Sequence, residues 1–146
     1  MVQPHRKIYL ASSWRNTRQP DVIKALLEAG HQVYDFRHPV PGNHGFHWSE
    51  IDPNWQSWAA TDFVQGLQHD KAQAGFTLDF DAMQWADTFV LLLPCGKSAH
   101  LELGWAVGQA KTTLILLDST PEPELMYKMA DHLCSTLHDV IRILGS

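Results

Sequence analysis

The chain has 146 residues, enough to bury the core of one domain, and its 45% hydrophobic and 18% charged residues are those of a folded globular protein rather than a disordered one. A formal net charge of −5 argues against broad binding to nucleic-acid polymers or to anionic membranes, since both want a basic face. The longest apolar run, Phe89 to Pro94, is too short to span a bilayer, and "MVQPHRK" shows no signal-type apolar segment.

The two cysteines, Cys95 and Cys134, lack paired spacing and fit a reduced, cytoplasmic chain. A small phosphorylated ligand remains compatible with the charge, because it needs only a few local cations or helix-end amides.

In chain order, "KIYLAS" (7–12) reads as a buried first strand. Pro20 and Asp21 open a helix with Val22, Ile23, Leu26 and Leu27 on one face, and Gly30 stops it. "QVYDF" (32–36) is a second strand. Residues 37–55 carry three prolines and two glycines without periodicity, which predicts a long ordered loop of functional type. Residues 55–73 read as a helix and "DFDAMQWA" (79–86) as another. "TFVLLLP" (88–94) is a third strand, 98–110 a helix, "TTLILL" (112–117) a fourth strand, and 121–133 a segment that runs helical. "DVIRIL" (139–144) suits a fifth strand or a final helix. Near-continuous apolar strands alternating with helices predict a single domain over 1–146. Its α/β fold would be an open parallel sheet of four to five strands with helices on both faces, flavodoxin-like or Rossmann-like.

"LPCGKSAHLELGWAVGQAK" (93–111) carries two signals. Gly96-Lys97-Ser98 looks like the end of a phosphate-binding P-loop, but a Walker loop needs glycine where Leu91 stands, so that reading fails. The same segment follows a strand and opens a helix. Its amides therefore point beyond the C-terminal edge, where open α/β sheets bind ligands. Ser98 is either a ligand contact there or simply the helix N-cap. Glu102 lies among Leu101, Leu103, Trp105 and Ala106, with no lysine or arginine at 98 or 106 to pair it. It is a catalytic carboxylate or an ordinary surface glutamate. Gly104 and Gly108 weaken the helix and suggest close packing there.

Three pieces, "KIYLASSWRN", "DFDAMQWADTFVLLLP" and "HLELGWAVGQAKTTLILL", together resemble the nucleoside 2-deoxyribosyltransferase family, which includes relatives that hydrolyse nucleoside 5′-monophosphates. The resemblance covers nearly the whole chain and is weakest over 37–75. It implies that Glu102 is a nucleophile attacking the anomeric carbon, Asp79 the acid/base group on the nucleobase side, and Tyr9 the residue that orients Glu102. Asp87 matches a structural position. Transferases of unphosphorylated nucleosides carry an acid six residues before the nucleophile, where this chain has Gly96. Ser13, Arg15 and Ser98 match phosphate-binding positions of the monophosphate N-glycosidases, and glycine at 96 leaves an amide open. Read without the resemblance, Arg15 is a solvated loop residue and Tyr9 a core tyrosine. Met126 in "PELMYK" matches a methionine that enters a neighbouring subunit's site, which implies a homodimer or higher homo-oligomer. Glu124 stands where the family pattern has an amide.

Phe46, Trp48, Trp55 and Trp58 either pack the long loop or stack on a nucleobase, with Phe46 and Trp48 favoured for stacking. His38, His44 and His47 do not have the spacing of a metal site, and neither a metal nor a cofactor is expected. Cys95, near a helix start, is expected to have a lowered pKa. No G-x-G-x-x-G follows the first strand, which disfavours a dinucleotide oxidoreductase. The expected function is cleavage of the N-glycosidic bond of a nucleoside or its 5′-monophosphate, the sugar passing through Glu102 to another base or to water. The alternative is a non-catalytic nucleotide-binding module on the same fold.

Overall fold

The computed structural model describes residues 5–145 and contains one open sheet of five parallel strands. The strands are β1 (Lys7–Ala11), β2 (Gln32–Tyr34), β3 (Thr88–Leu92), β4 (Thr112–Leu116) and β5 (His132–Cys134), ordered β2-β1-β3-β4-β5. The helices are α1 (Gln19–Glu28), α2 (Ala60–Gly66), α3 (Asp70–Trp85), α4 (Lys97–Gly108) and α5 (Leu137–Leu144). The chain forms two compact units. Residues 5–35 with 83–145 hold the sheet, and residues 36–82 form the other unit.

Side chains alternate across a strand, and the apolar runs of this sheet supply both faces. On one face Ile8, Leu10, Val90, Leu92, Leu114 and Leu116 bury against Val22 and Leu26 of α1 and Val140 and Leu144 of α5. Each large aliphatic side chain fully buried there contributes roughly 1.5–3 kcal/mol. The opposite set includes Tyr9, Phe89, Leu91, Thr113 and Ile115, all nearly solvent-free, and lies towards α4. Asp87 ties the strand starts together, its Oδ1 accepting from the Lys7 amide (3.2 Å) and the Thr88 hydroxyl (2.8 Å).

Local chemistry explains the ends of α1. Pro20 falls in the first turn, where a missing N–H costs nothing, and Gly30 takes up φ +96° just beyond the last turn. Thr136 caps α5, its Oγ1 accepting from the Asp139 amide at 3.1 Å, and this places 139–144 in a helix.

Three expected elements differ. The helix expected over 55–73 is a single turn at Trp55–Ser57 followed by α2, and the chain then turns at 67–69 before α3. The helix expected at 79–86 is the second half of α3, because nothing interrupts the chain between 73 and 79. Gly75 does not break it. A Cβ there would come within 2.9 Å of the Phe46 Cβ, so the glycine is where that ring fits. Residues 121–133 do not form a regular helix. A 3₁₀ segment (Leu125–Met129) gives way to β5. Asp131 directs this change by pairing with Thr113 beside β4: its Oδ2 accepts from the Thr113 amide at 2.9 Å, and its own amide donates to Thr113 Oγ1 at 3.1 Å.

Candidate active site

With β2-β1-β3 order, the chain leaves β1 in one direction across the sheet and β3 in the other, and the crevice beyond their C-terminal ends is the place for a ligand in such folds. Two loops meet there. After β1 come Ser13, Arg15 and Asn16, and after β3 come Pro94 and Gly96. Asn16, 2% exposed, joins them: its Nδ2 donates to the carbonyls of Leu92 (3.4 Å) and Pro94 (3.0 Å), while its Oδ1 accepts from the Arg18 amide (2.8 Å). Ser12 Oγ also donates to Leu92 O, at 3.0 Å. Ser13 turns the first loop, its Oγ accepting from the Arg15 amide (3.1 Å) and its carbonyl from the Asn16 amide (3.0 Å). Arg15 is exposed.

The second loop leads into α4. Gly96, not Ser98, is the N-cap, with extended backbone (φ −97°, ψ −157°), so the alternative of Ser98 as N-cap is set aside. Lys97 and Ser98 are the first residues of the helix, and both are exposed. A Cβ at Gly96 would meet nothing within 4 Å. An acidic side chain would therefore fit at 96, and its absence is not forced by space.

Glu102 lies in the second turn of α4, half-buried, and the Tyr9 hydroxyl donates to its Oε2. Tyr9 is 1% exposed and stands on β1, an interior strand between β2 and β3. Packing thus delivers one phenol of β1 to one carboxylate of α4.

Cys95 corrects an expectation. Burial chiefly, and then the charge of Glu102, push its thiol up to about 12, against the lowering that a helix start would produce. His100 Nδ1 lies 3.8 Å from its sulfur but 2.7 Å from the Gly96 carbonyl, to which it donates. In the neutral ring Nε2 then accepts from Tyr127 Oη at 2.8 Å, so no imidazole nitrogen is left to act as base for the thiol.

A cavity of about 580 Å³ lies on another side of α4, over Leu103, Val107 and Ile115. Met126, 61% exposed, lines it, whereas Tyr9 and Glu102 do not. Asp118, Glu122 and Glu124 also line it, which makes it a poor host for phosphate. Gly104 and Gly108 are exposed and a Cβ at either would meet nothing within 4 Å, so the close packing expected there is absent among the described residues.

In the 36–82 unit, Asp79 and Phe46 line a smaller cavity of about 180 Å³ with Lys71 and Gly75. Trp48 sits in an aromatic cluster, its ring centroid 4.9 Å from Phe46, 5.8 Å from Trp58 and 5.7 Å from Phe63. Trp58 Nε1 donates to Asp52 Oδ2 at 2.7 Å, and this bond holds the Asp52 carboxyl below its ordinary value. Among the described residues no group of three or more histidine, cysteine or acidic side chains is placed to hold a metal ion. None of their helices is long and apolar enough to cross a membrane.

Asn16 and the His100–Tyr127 pair escape sequence reasoning. An asparagine between a strand and a proline-led helix is ordinary turn composition, and a pair 27 residues apart has no local signature.

No protein-family model matches the chain, and no curated protein does. Solved structures do. A 2-deoxyribosyltransferase from Bacillus psychrosaccharolyticus superposes with a TM-score of 0.60 at 20% identity, over 94% of this chain and 95% of that one. The CMP N-glycosidase BcmB from Clostridium botulinum superposes with a TM-score of 0.52 at 18% identity, over 95% and 98%. At these identities the likeness is one of fold, and it is the fold that the sequence resemblance implies.

Proposed function

We propose that this protein cleaves the N-glycosidic bond of a nucleoside or nucleoside 5′-monophosphate by way of a covalent glycosyl-enzyme on Glu102. The observation that carries the reading is the Tyr9 hydroxyl donating to Glu102 Oε2. On this reading a Glu102 oxygen attacks C1′ while the bond from C1′ to the base nitrogen breaks, and Asp79 protonates the departing base. In the second stage another base or water attacks C1′ from the opposite side and gives up a proton to the Asp79 carboxylate, while the bond from C1′ to Glu102 breaks and the configuration is retained. Tyr9 holds the carboxylate in its attacking orientation. Phe46 stacks on the base, with Trp48 behind it.

The 5′ end lies with Ser13, Arg15, Gly96 and Ser98. Exposed Arg15 and the first amides of α4 supply positive potential there, and no acidic side chain at 96 opposes a phosphate. Monophosphates are therefore the favoured substrates. Met126, exposed on the 3₁₀ segment, is the residue offered to a second copy of the chain, in a homo-oligomer.

The test is a chromatographic screen for free base. Matched ribo- and deoxynucleosides and their 5′-monophosphates are incubated with the protein, with and without a second base. Free base from monophosphates alone identifies a hydrolase, and a new nucleoside formed only with acceptor identifies a transferase. Glu102→Ala must lose turnover by orders of magnitude while ligand affinity falls little. A panel without product overturns the reading in favour of a binding module, and an alanine variant as active as the parent overturns the role of Glu102.

A further inference from the structure

The geometry points to Tyr34 as a positioning residue for the Tyr9–Glu102 pair, an inference that rests on the reaction proposed above. Strand register places three aromatic residues in one row: Tyr9 of β1 pairs with Tyr34 of β2 on one side and with Phe89 of β3 on the other. All three rings stack. The Tyr9 centroid lies 5.4 Å from Tyr34 at 18° between planes and 5.0 Å from Phe89 at 24°. The row continues into α4, where Trp105 lies 6.2 Å from Phe89, three residues along the helix from Glu102.

A tyrosine hydroxyl stands at the far end of two rotatable bonds, so a small swing of the ring carries it out of hydrogen-bond reach. Near-parallel rings on both sides of Tyr9 block that swing. Phe89 is wholly buried in the central strand and has no room to yield. Tyr34 is only half-buried and sits on the edge strand β2, so it is the wall of the sandwich that can be altered without opening the core. In this scheme Tyr34 acts through Tyr9, against which its ring stacks.

The chain has three tyrosines, Tyr9, Tyr34 and Tyr127, so a protein labelled with ¹³C at the tyrosine ζ carbon gives a spectrum that single variants assign. Glu102→Gln is expected to move the Tyr9 signal. Tyr34→Ile, a residue suited to an edge strand, should move the same signal in the same direction and leave Tyr127 in place. Tyr34→Phe, which keeps the ring, should restore the parent position. Tyr34→Met carries the same expectation as Tyr34→Ile should the isoleucine disturb the strand.

In turnover, Tyr34→Ile should lower kcat about tenfold with little change in KM, and Tyr34→Phe should recover it. In a Tyr9→Phe background the Tyr34→Ile loss should vanish. An unmoved Tyr9 signal in Tyr34→Ile, or losses that multiply in the double variant, overturns the role of Tyr34. The spectroscopic arm needs no turnover. A coupled Tyr9 signal in a protein that cleaves nothing overturns the reaction and leaves Tyr34 as the residue that orients Tyr9.

Discussion

Replacing Asn16 by alanine tests the hinge on which the candidate site is built. The asparagine is 2% exposed and satisfies three main-chain groups at once, the carbonyls of Leu92 and Pro94 and the amide of Arg18. Leu92 O keeps the Ser12 hydroxyl, so the substitution orphans two groups, Pro94 O and Arg18 N. Both groups are part-buried, so the lower half of the usual range of about 1–3 kcal/mol per unpaired group applies, about 1.5 kcal/mol each, and the expected loss is about 3 kcal/mol. Unfolding entropy near 2 cal/mol/K per residue gives about 0.3 kcal/mol/K for a chain of this length, so Tm should fall by about 10 °C. Scanning calorimetry on Asn16→Ala reads this directly. Asn16→Asp is the control, because it keeps an acceptor for Arg18 N but turns a carboxylate against two carbonyls, and it should do no better. Assays with a monophosphate should show KM raised more than for the matched nucleoside, since the loop that loosens carries Ser13 and Arg15. A Tm within about 2 °C of the parent would mean that water replaces the amide and that Asn16 does not join the two loops.

Tyr9→Phe removes one hydrogen bond to a charged acceptor, worth about 1.5–3 kcal/mol, so kcat/KM should drop roughly 10- to 150-fold; unchanged kinetics would show that the hydroxyl does not orient Glu102. Gly104→Ala, at an open position on α4, should stabilise by up to about 1 kcal/mol and raise Tm by about 3 °C. A fall in Tm would show the position packed against something in solution. Alkylation of Cys95, followed in a Cys134→Ser variant, should stay slow near pH 9.0, where an ordinary thiol is half-ionised, and accelerate only towards about pH 12. Because the folded value lies above the unfolded one, the group's contribution to stability is full below pH 9.0 and is lost as pH rises towards 12. Rapid alkylation at the lower pH would refute its burial.

The strands and α4 were legible because continuous apolar runs such as 89–93 and 114–117, interrupted by capping and turn residues, admit few arrangements other than a parallel sheet. The pairing of Tyr9 with Glu102 was legible only through the family resemblance, since their 93-residue separation has no local mark. Residues 121–133 misled because Leu125, Met126, Met129 and Leu133 repeat at helical spacing, yet all four are more than half exposed. Their course is set by Asp131 meeting Thr113, a contact between distant segments. Gly104 and Gly108 misled in the opposite sense, for nothing local distinguishes a glycine that admits a neighbour, as Gly75 admits Phe46, from one facing open space.

The two faces of the sheet have been given different work. Against α1 and α5 the layer is aliphatic apart from Cys134, whereas the other face bears Tyr9, Phe89 and Thr113 with their polar neighbours. Adjacent residues of one strand, such as Ile8, Tyr9 and Leu10, therefore answer to different selective demands. A saturating mutational library should separate them. At Ile8 and Leu10 survival should track side-chain volume alone. At Tyr9 it should track chemistry, so that a stabilising substitution elsewhere rescues the first class and leaves the second unrescued. A sheet divided in this way can drift in its aliphatic layer while the layer that bears Tyr9 stays fixed, and that gives an engineer one face to harden and the other to redesign.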